Sequence, residues 1–208
     1  FLKDYFNLLN DPAELSHQLS ESAFSLTREI RFEQVSFRYE SSQRDAIKSA
    51  TLTIPAGKTV AFAGANGSGK TTMIKLLCGF YKPHEGKITF DGVDATKIGQ
   101  KNICRNTTAV FQDFALYHIT AIENMGLGNT HLPLNPDRAR EAARAAGIDT
   151  VLEQLPEGYD TLLGTQFKGG EELSIGQWQK VAVARAFYRD APLILMDEPS
   201  SALDAGSE

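Results

Sequence analysis

The residues with the clearest chemical potential form a glycine-rich stretch that ends in a lysine and two threonines. It runs Gly64-Ala65-Asn66-Gly67-Ser68-Gly69-Lys70-Thr71-Thr72, a pattern of Gly, four residues and Gly-Lys-Thr. Glycines let successive backbone N–H groups point into one concavity at the positive end of a helix, which suits a chain of phosphates. Lys70 would then lie against the β and γ phosphates, the Thr71 hydroxyl would ligate Mg²⁺, and Thr72 would donate to an α-phosphate oxygen.

The elements beside this loop are those that the pattern requires. The apolar run Thr59-Val60-Ala61-Phe62-Ala63 before it predicts a buried strand, and Met73-Ile74-Lys75-Leu76-Leu77-Cys78 after it predicts a helix. Strand, loop and helix in this order favour a phosphate-binding loop over a glycine-rich turn that merely starts a helix.

A second group of candidate residues follows two predicted core strands. The run Leu193-Ile194-Leu195-Met196 ends in Asp197 and Glu198, and the run Thr107 to Phe111 ends at Gln112. Carboxylates at a strand end place negative charge where the loop would hold a nucleotide, so Asp197 is predicted to hold Mg²⁺ and Glu198 to orient and deprotonate a water. An amide at position 112 could reach a metal or a water, although Gln112 taken alone also fits an ordinary loop residue.

Two further positions each admit two interpretations. Ser174 fits the N-cap of a helix that continues through Trp178 to Arg185, and the same hydroxyl and N–H cluster would bind a phosphate oxygen. Tyr39, at the end of a predicted strand, could stack on a purine or simply pack.

The rest of the pattern predicts two additions to the core. Alternating apolar residues from Glu29, and again at Ala50 to Ile54, predict antiparallel strands that lead into the loop strand. Residues 115–165 are mostly helical in pattern, with a helix that begins at Asn135-Pro136-Asp137 and ends at Gly147. We predict that this helical region is inserted between core strands.

Composition narrows the function further. The net charge of −5 and pI of 5.4 argue against nucleic acid as the main partner. No stretch approaches about 18 consecutive apolar residues, so no membrane span or signal peptide is predicted. The only two cysteines, Cys78 and Cys104, fit a reducing compartment. Because the chain begins at Phe1 and residues 1–29 read as a connecting helix with a linker, we expect a fragment of a longer protein.

Together these stretches, in this order, resemble the ATP-binding cassette (ABC) family of ATPases from about Glu29 onward. The resemblance implies an α/β fold with a P-loop NTPase core of mainly parallel sheet, an antiparallel β subdomain and a helical subdomain at about 113–178. It also implies roles residue by residue: Tyr39 as the adenine-stacking aromatic, residues 64–72 as the Walker A loop, Gln112 as the link to the helical subdomain, Leu173 to Gln177 as the signature motif, Asp197 and Glu198 as the Walker B aspartate and catalytic glutamate, and Ser201 to Asp204 as the D-loop.

In this family, the signature of one subunit completes the ATP site of another. The resemblance therefore implies that Ser174, Gly176 and Gln177, together with Asp204, act in a head-to-tail dimer with a second ABC ATPase domain. Two departures are present: Ile175 stands where the signature usually has glycine, and the four histidines all precede Asp197, so none matches the switch histidine. We expect the chain as given to bind nucleotide but to turn it over poorly.

The sequence thus predicts an ATP-hydrolysing motor with ATP and Mg²⁺ as cofactors. The N-terminal stretch and the segment 164–172 are similar to those of exporters whose membrane domain precedes the ATPase on one polypeptide, which implies a place on the cytoplasmic face of a membrane, the inner membrane if bacterial. One alternative is a soluble ABC protein that uses ATP as a clamp on a macromolecule. A weaker alternative, an ATP sensor without catalysis, is disfavoured by Glu198.

Overall fold

The computed structural model describes Phe24, residues 26–166 and residues 168–197. The predicted connecting helix, most of the linker at 1–29, Glu198 and the segment Ser201 to Asp204 lie outside the described residues. The described strands are β1 (Glu29–Phe37), β2 (Ile47–Pro55), β3 (Glu85–Phe90), β4 (Val93–Asp94), β5 (Thr107–Val110) and β6 (Leu193–Met196). The helices are α1 (Lys70–Leu77), α2 (Ala95–Ile98), α3 (Gln100–Asn106), α4 (Ala121–Gly126), α5 (Pro136–Ala145), α6 (Asp149–Glu153) and α7 (Ile175–Arg189).

The antiparallel subdomain is a four-stranded sheet in the order β2-β1-β3-β4. Its central strand β1 alternates apolar and polar residues, so that Ile30 and Phe32 are fully buried between the two neighbouring strands. The same core takes in Met73 and Leu77 from α1. The predicted antiparallel strands are therefore confirmed, and they share one core with the helix that follows the glycine-rich loop.

The parallel part of the fold is the pair β5 and β6, in which Val110 lies opposite Met196. The backbone N–H of Asp197 continues the pairing by donating to the Val110 carbonyl at 2.9 Å. Helix α7 covers this pair, with Ala182 and Ala186 packed against Val110. The two strands therefore end at the same edge, which brings the residues after them together.

A second core holds the helical region. Its buried members include Met125 of α4, Ala143 of α5, Leu152 of α6 and Trp178 of α7. Helix α5 begins where the sequence predicts, because the Asn135 side chain accepts from the Arg138 N–H and proline occupies the first turn. It ends before Gly147, whose φ of 68° is the left-handed value typical of a helix end.

The predicted strand before the loop is not observed. Residues 58–65 form no ladder with any strand of the described part of the chain, and Val60 is 44% exposed where a buried residue was expected. Apolar composition alone does not make a strand, because the backbone also needs partners for its N–H and C=O groups. Phe62 still packs against the core that α1 and β1 share.

The longest described helix, α7, has 15 residues. No helix within residues 26–166 and 168–197 combines the length and the apolar character that a membrane crossing requires.

Candidate nucleotide-binding site

The glycine-rich loop leads directly into α1, whose N-cap is Gly69. Gly69 has a φ of 95°, and a Cβ there would lie 2.6 Å from Ile47 Cδ1 and 2.8 Å from the Ala46 carbonyl oxygen. Both the backbone conformation and the space therefore require glycine at this position. The close approach of Ala46 and Ile47 to the loop explains why glycine is present here. With Gly69 as the N-cap, the first N–H groups of α1 point into the loop.

Lys70 reaches back across the loop. Its ammonium donates to the Gly64 carbonyl at 2.8 Å and to the Ala65 carbonyl at 3.2 Å. The loop also contains a turn in which the Ser68 N–H donates to the Ala65 carbonyl. A positive charge and the N-terminal end of an eight-residue helix thus converge on the exposed loop residues, which include Asn66 and Gly67.

A cavity of about 220 Å³ brings together the three predicted metal ligands, Thr71, Gln112 and Asp197. Thr71 comes from the first turn of α1, whereas Gln112 and Asp197 follow the neighbouring ends of β5 and β6. Asp197 is buried, with 6% of its surface exposed. A hydroxyl, an amide and a carboxylate all offer oxygen, the ligand atom that Mg²⁺ prefers, so this donor set fits that ion completed by phosphate oxygens and water.

Among the described residues, no group of three or more His, Cys, Asp and Glu side chains could hold a metal by itself. Sequence reasoning missed Lys75, which also lines the cavity. The signal was available, because Lys75 lies one helical turn after Thr71 on α1.

Tyr39 lies in a small aromatic group next to α1. Its ring makes edge contacts with Phe37 at 4.9 Å and with Tyr81 at 5.3 Å between centroids. Its hydroxyl lies 3.2 Å from the Thr72 hydroxyl. The packing interpretation is thus satisfied, while stacking on a purine stays a prediction. The contact of Tyr39 with Tyr81 was not predicted from the sequence.

The predicted signature residues form the start of α7. Ser174 is the N-cap: its hydroxyl accepts from the Gln177 N–H at 3.3 Å, and the Gln177 side chain accepts from the Ser174 N–H at 2.8 Å. This reciprocal capping box satisfies two backbone donors and confirms the capping interpretation. Ser174 is nevertheless exposed, and the neighbouring Ile175 side chain is 63% exposed. Phosphate binding by Ser174 and Gly176 stays a prediction.

Two predicted site residues cannot be placed. Glu198 and Asp204 lie beyond residue 197, outside the described part of the chain. The described candidate residues therefore lie in the loop, in the cavity that Thr71, Gln112 and Asp197 line, in the aromatic group and at the capped start of α7.

The sequence profile of the family described as ABC transporter matches residues 47–201. The chain is 36% identical over 206 residues to an ATP-dependent lipid A-core flippase of Chromohalobacter salexigens, a match that covers 99% of this chain and 34% of the flippase. It is 36% identical over 208 residues to the subtilin transport ATP-binding protein SpaT of Bacillus subtilis, which covers 98% of this chain and 34% of that protein.

One solved structure is similar to the chain in fold as well as in sequence. A bacterial Atm1-family ABC exporter with ATP bound matches with a TM-score of 0.84 and 32% sequence identity, over 98% of this chain and 35% of the exporter chain. The chain thus spans about a third of the length of these relatives.

Proposed function

The chain belongs to the ABC transporter family, and from this premise we propose that it is the motor domain of an exporter, which binds and hydrolyses ATP. The observation that carries the proposal is the cavity in which Thr71, Gln112 and Asp197 meet at the start of the phosphate-loop helix. ATP-driven dimerisation of two such domains, head to tail, would power export through a membrane domain of the same polypeptide.

The loop would bind the phosphates of ATP. Its backbone N–H groups and the N-terminal end of α1 favour negative charge, and the Lys70 ammonium already projects over the loop carbonyls of Gly64 and Ala65. Thr72 would donate to an α-phosphate oxygen, and the Tyr39 ring would stack on the adenine. The Tyr39 hydroxyl contact with Thr72 supports a link between these two ends of the nucleotide.

The oxygen-lined cavity would hold Mg²⁺ next to the phosphates. When bound, the ion neutralises charge that develops on the phosphate oxygens. Thr71, Gln112 and Asp197 would hold it from three separate segments, so the correct placement of Gln112 becomes a condition for metal binding. Glu198, the next residue after Asp197 in sequence, is proposed as the base that accepts a proton from the attacking water.

The second half of each site would come from a partner domain. Ser174, Gly176 and Gln177 would face the γ-phosphate of the partner's ATP, with Asp204 at the dimer contact. The exposure of the α7 N-terminus, whose positive end attracts anions, supports this role. The partner is a second ABC ATPase domain, identical or similar.

Coupling to the membrane domain would run through the helical region at 113–178. Gln112 lies at its start, and the region exposes several large apolar side chains that would form the docking surface: Leu116, Tyr117, Leu127, Leu132 and Leu134. This arrangement would place the chain on the cytoplasmic face of the membrane. The segment 164–172 is proposed to lie at the same contact.

The relatives favour the exporter over the soluble clamp, because their names describe a flippase, a transport protein and an exporter. The coding sequence upstream of Phe1 tests this choice. Several apolar stretches of about 20 residues would support the exporter, whereas a soluble upstream sequence or a second cassette would support the clamp.

The ATPase proposal is tested in the full-length gene product with Lys70→Ala and Glu198→Gln. We expect the first variant to lose ATP binding, and the second to keep it while hydrolysis slows by about 10²–10⁴, the range for a lost general base. Lys58→Ala, which removes an exposed lysine before the loop, is the matched control. Tight ATP binding by Lys70→Ala, or full turnover by Glu198→Gln, would contradict the assigned role.

A further inference from the structure

We propose that Glu172 and Trp178 are positioning residues: together they fix the direction in which the chain enters α7 and thus the orientation of Ser174 and Gly176. The inference rests on the proposed function, in which those two residues face the partner's nucleotide. It adds two side chains to the site that neither touch the phosphates nor belong to the metal cavity.

The contact itself is a hydrogen bond across the start of the helix. The Trp178 indole Nε1 donates to a Glu172 carboxylate oxygen at 3.1 Å. Trp178 is 2% exposed and packs in the core of the helical region, whereas Glu172 is an exposed residue on the surface. A buried indole N–H requires a partner, and here the partner lies two residues before the N-cap of the same helix.

Trp178 also holds the chain through apolar packing. Ser174 is the N-cap, so Trp178 is the fourth helical residue and Leu173 immediately precedes the cap. Leu173 is 4% exposed and belongs to the same buried core as Trp178. Apolar residues at these two positions form a hydrophobic staple, which fixes the angle at which the chain enters a helix. The hydrogen bond from the indole therefore adds a second restraint at the same turn.

Glu172 extends this restraint to the preceding loop. Its other carboxylate oxygen accepts from the Thr165 N–H at 3.4 Å and from the Thr165 hydroxyl at 3.3 Å. The hydrogen bond from Trp178 is the main cause that lowers the pKa of Glu172, followed by the one from the Thr165 backbone. The carboxylate thus stays ionised and joins three segments: the loop at Thr165, the residue before the staple, and α7.

The Trp178 ring also contacts the segment that follows Gln112. The His118 ring lies 5.9 Å from the Trp178 ring in an edge contact, and its Nδ1 lies 3.2 Å from the Leu163 carbonyl oxygen. His118 comes six residues after Gln112 in the chain. Trp178 consequently contacts both the segment that follows Gln112, through His118, and the segment that precedes Ser174, through Glu172.

The capping box does not make these contacts redundant. It fixes the Ser174 hydroxyl relative to the first turn of α7, while the staple and the Glu172 carboxylate fix that turn relative to the chain before it. In the proposed site a phosphate oxygen contacts both the Ser174 hydroxyl and backbone N–H groups of α7. The rate of hydrolysis then depends on both restraints, because misplacement by about 1 Å can cost roughly 100-fold in rate.

The test uses Trp178→Phe, Glu172→Ala, Glu172→Gln and the double variant Trp178→Phe/Glu172→Ala in the full-length gene product. Phenylalanine keeps the staple but has no N–H, and glutamine keeps an acceptor oxygen. We expect Trp178→Phe and Glu172→Ala each to lower kcat by about three- to tenfold, with the double variant no worse than Glu172→Ala alone, since that variant already removes the hydrogen bond from Trp178. Glu172→Gln should recover most of the rate.

A second measurement separates positioning from general loss of structure. Binding of ADP, which needs only the loop of the same chain, should keep its wild-type Kd in all four variants, while ATP-driven dimerisation weakens. Glu85→Ala, which removes an exposed acid on β3, is the control and should behave as wild type. Parallel losses of ADP binding and dimerisation would show a structural role only.

The two levels of proposal fail differently. If Lys70→Ala leaves hydrolysis intact, the proposed ATPase site is wrong. If Lys70→Ala abolishes hydrolysis but Trp178→Phe and Glu172→Ala both turn over at the wild-type rate, the ATPase site stands and the positioning inference is overturned.

Discussion

The Tyr39 hydroxyl oxygen lies 3.2 Å from the Thr72 hydroxyl oxygen, although the two residues are 33 positions apart in the sequence. Tyr39 follows β1 and Thr72 lies in the first turn of α1, so this contact joins the antiparallel subdomain to the phosphate-loop helix. Thr72 is buried, with 6% of its surface exposed. The two hydroxyls therefore orient one another next to the proposed α-phosphate position.

Removal of this contact should weaken ATP binding. We expect Tyr39→Phe to raise the Kd for ATP about fivefold, the loss for one hydrogen bond of about 1 kcal/mol, and Tyr39→Ala to raise it further because the ring is lost too. Thr72→Val, which also deletes the contact, should not add its full effect to Tyr39→Phe in the double variant. Isothermal titration with ATP measures these constants. Equal affinities of wild type and Tyr39→Ala would remove Tyr39 from the site.

Ile175 should limit the approach of the partner domain. It is the first residue of α7, its side chain is 63% exposed, and it lies between Ser174 and Gly176. Replacement by glycine costs about 1 kcal/mol or less of helix stability, since the site is exposed and at the helix end. We expect Ile175→Gly to increase ATP turnover by a few-fold, with Ile175→Ala intermediate, in a steady-state ATPase assay. Slower turnover by Ile175→Gly would instead assign the side chain a supporting contact.

Gly164 should tolerate no side chain. Its φ is +89°, and a Cβ there would lie 1.9 Å from the His118 Nδ1. Gly169 offers a matched control, because its φ is +86° but nothing lies within 4 Å of the position of a Cβ. We expect Gly169→Ala to lower the free energy of unfolding by about 1 kcal/mol through backbone strain, and Gly164→Ala by about 2–4 kcal/mol.

A second substitution tests whether the His118 ring causes the additional loss of stability in Gly164→Ala. His118→Ala removes the clashing ring, so in the His118→Ala background Gly164→Ala should cost only the amount seen for Gly169→Ala. Urea unfolding of Gly164→Ala, Gly169→Ala, His118→Ala and the Gly164→Ala/His118→Ala double variant measures this. Equal losses for the two glycine variants would show that the loop at Gly164 moves away from His118.

Asp91 should make the fold sensitive to acid. Desolvation, the largest single contribution, would raise its pKa, but hydrogen bonds from the backbone N–H groups of Thr27, Glu29 and Arg28 and from the Thr27 hydroxyl together outweigh it and lower the pKa to about 2. Because the folded pKa lies below the ordinary 3.8, the ionised carboxylate stabilises the fold above that pH, and this contribution is lost as the pH falls toward 2.

The magnitude is modest because the carboxylate is largely in contact with solvent. After screening, we expect a loss of about 1 kcal/mol between pH 4 and 2 in wild type that is absent from Asp91→Asn. The difference between their unfolding free energies, measured across this range, isolates Asp91 from other acids. Glu40→Gln, which alters an exposed acid in the connection between β1 and β2, at the other end of β1, should retain the wild-type slope.

The elements that the sequence predicted best are those defined by local signals. The Asn135 cap, the proline that follows it and Gly147 bound α5, and the alternation around Ile30 and Phe32 specifies β1. These signals depend on residues close in sequence, so they can be recognised without knowledge of the fold.

The meeting of Thr71, Gln112 and Asp197 was also predictable, because two of the three follow strand ends and parallel strands end at one edge. The contacts of Tyr39 with Thr72 and of Trp178 with Glu172 were not. Each depends on a side-chain direction that only tertiary packing sets. The absence of a ladder at Thr59 to Ala63 was missed for a related reason, since pairing depends on distant segments rather than on the run itself.

The unpaired run from Thr59 to Ala63 determines how readily the backbone before the phosphate loop opens to solvent. Amide protons in β1, held on both sides by β2 and β3, should exchange with solvent slowly, whereas those of Thr59 to Ala63 should exchange quickly in the absence of ligand. The phosphate loop is thus anchored firmly at α1 and only by side chains such as Phe62 on its other end. A bound nucleotide would then act as the second anchor, and its binding would appear as slower exchange of the amide protons in this one segment.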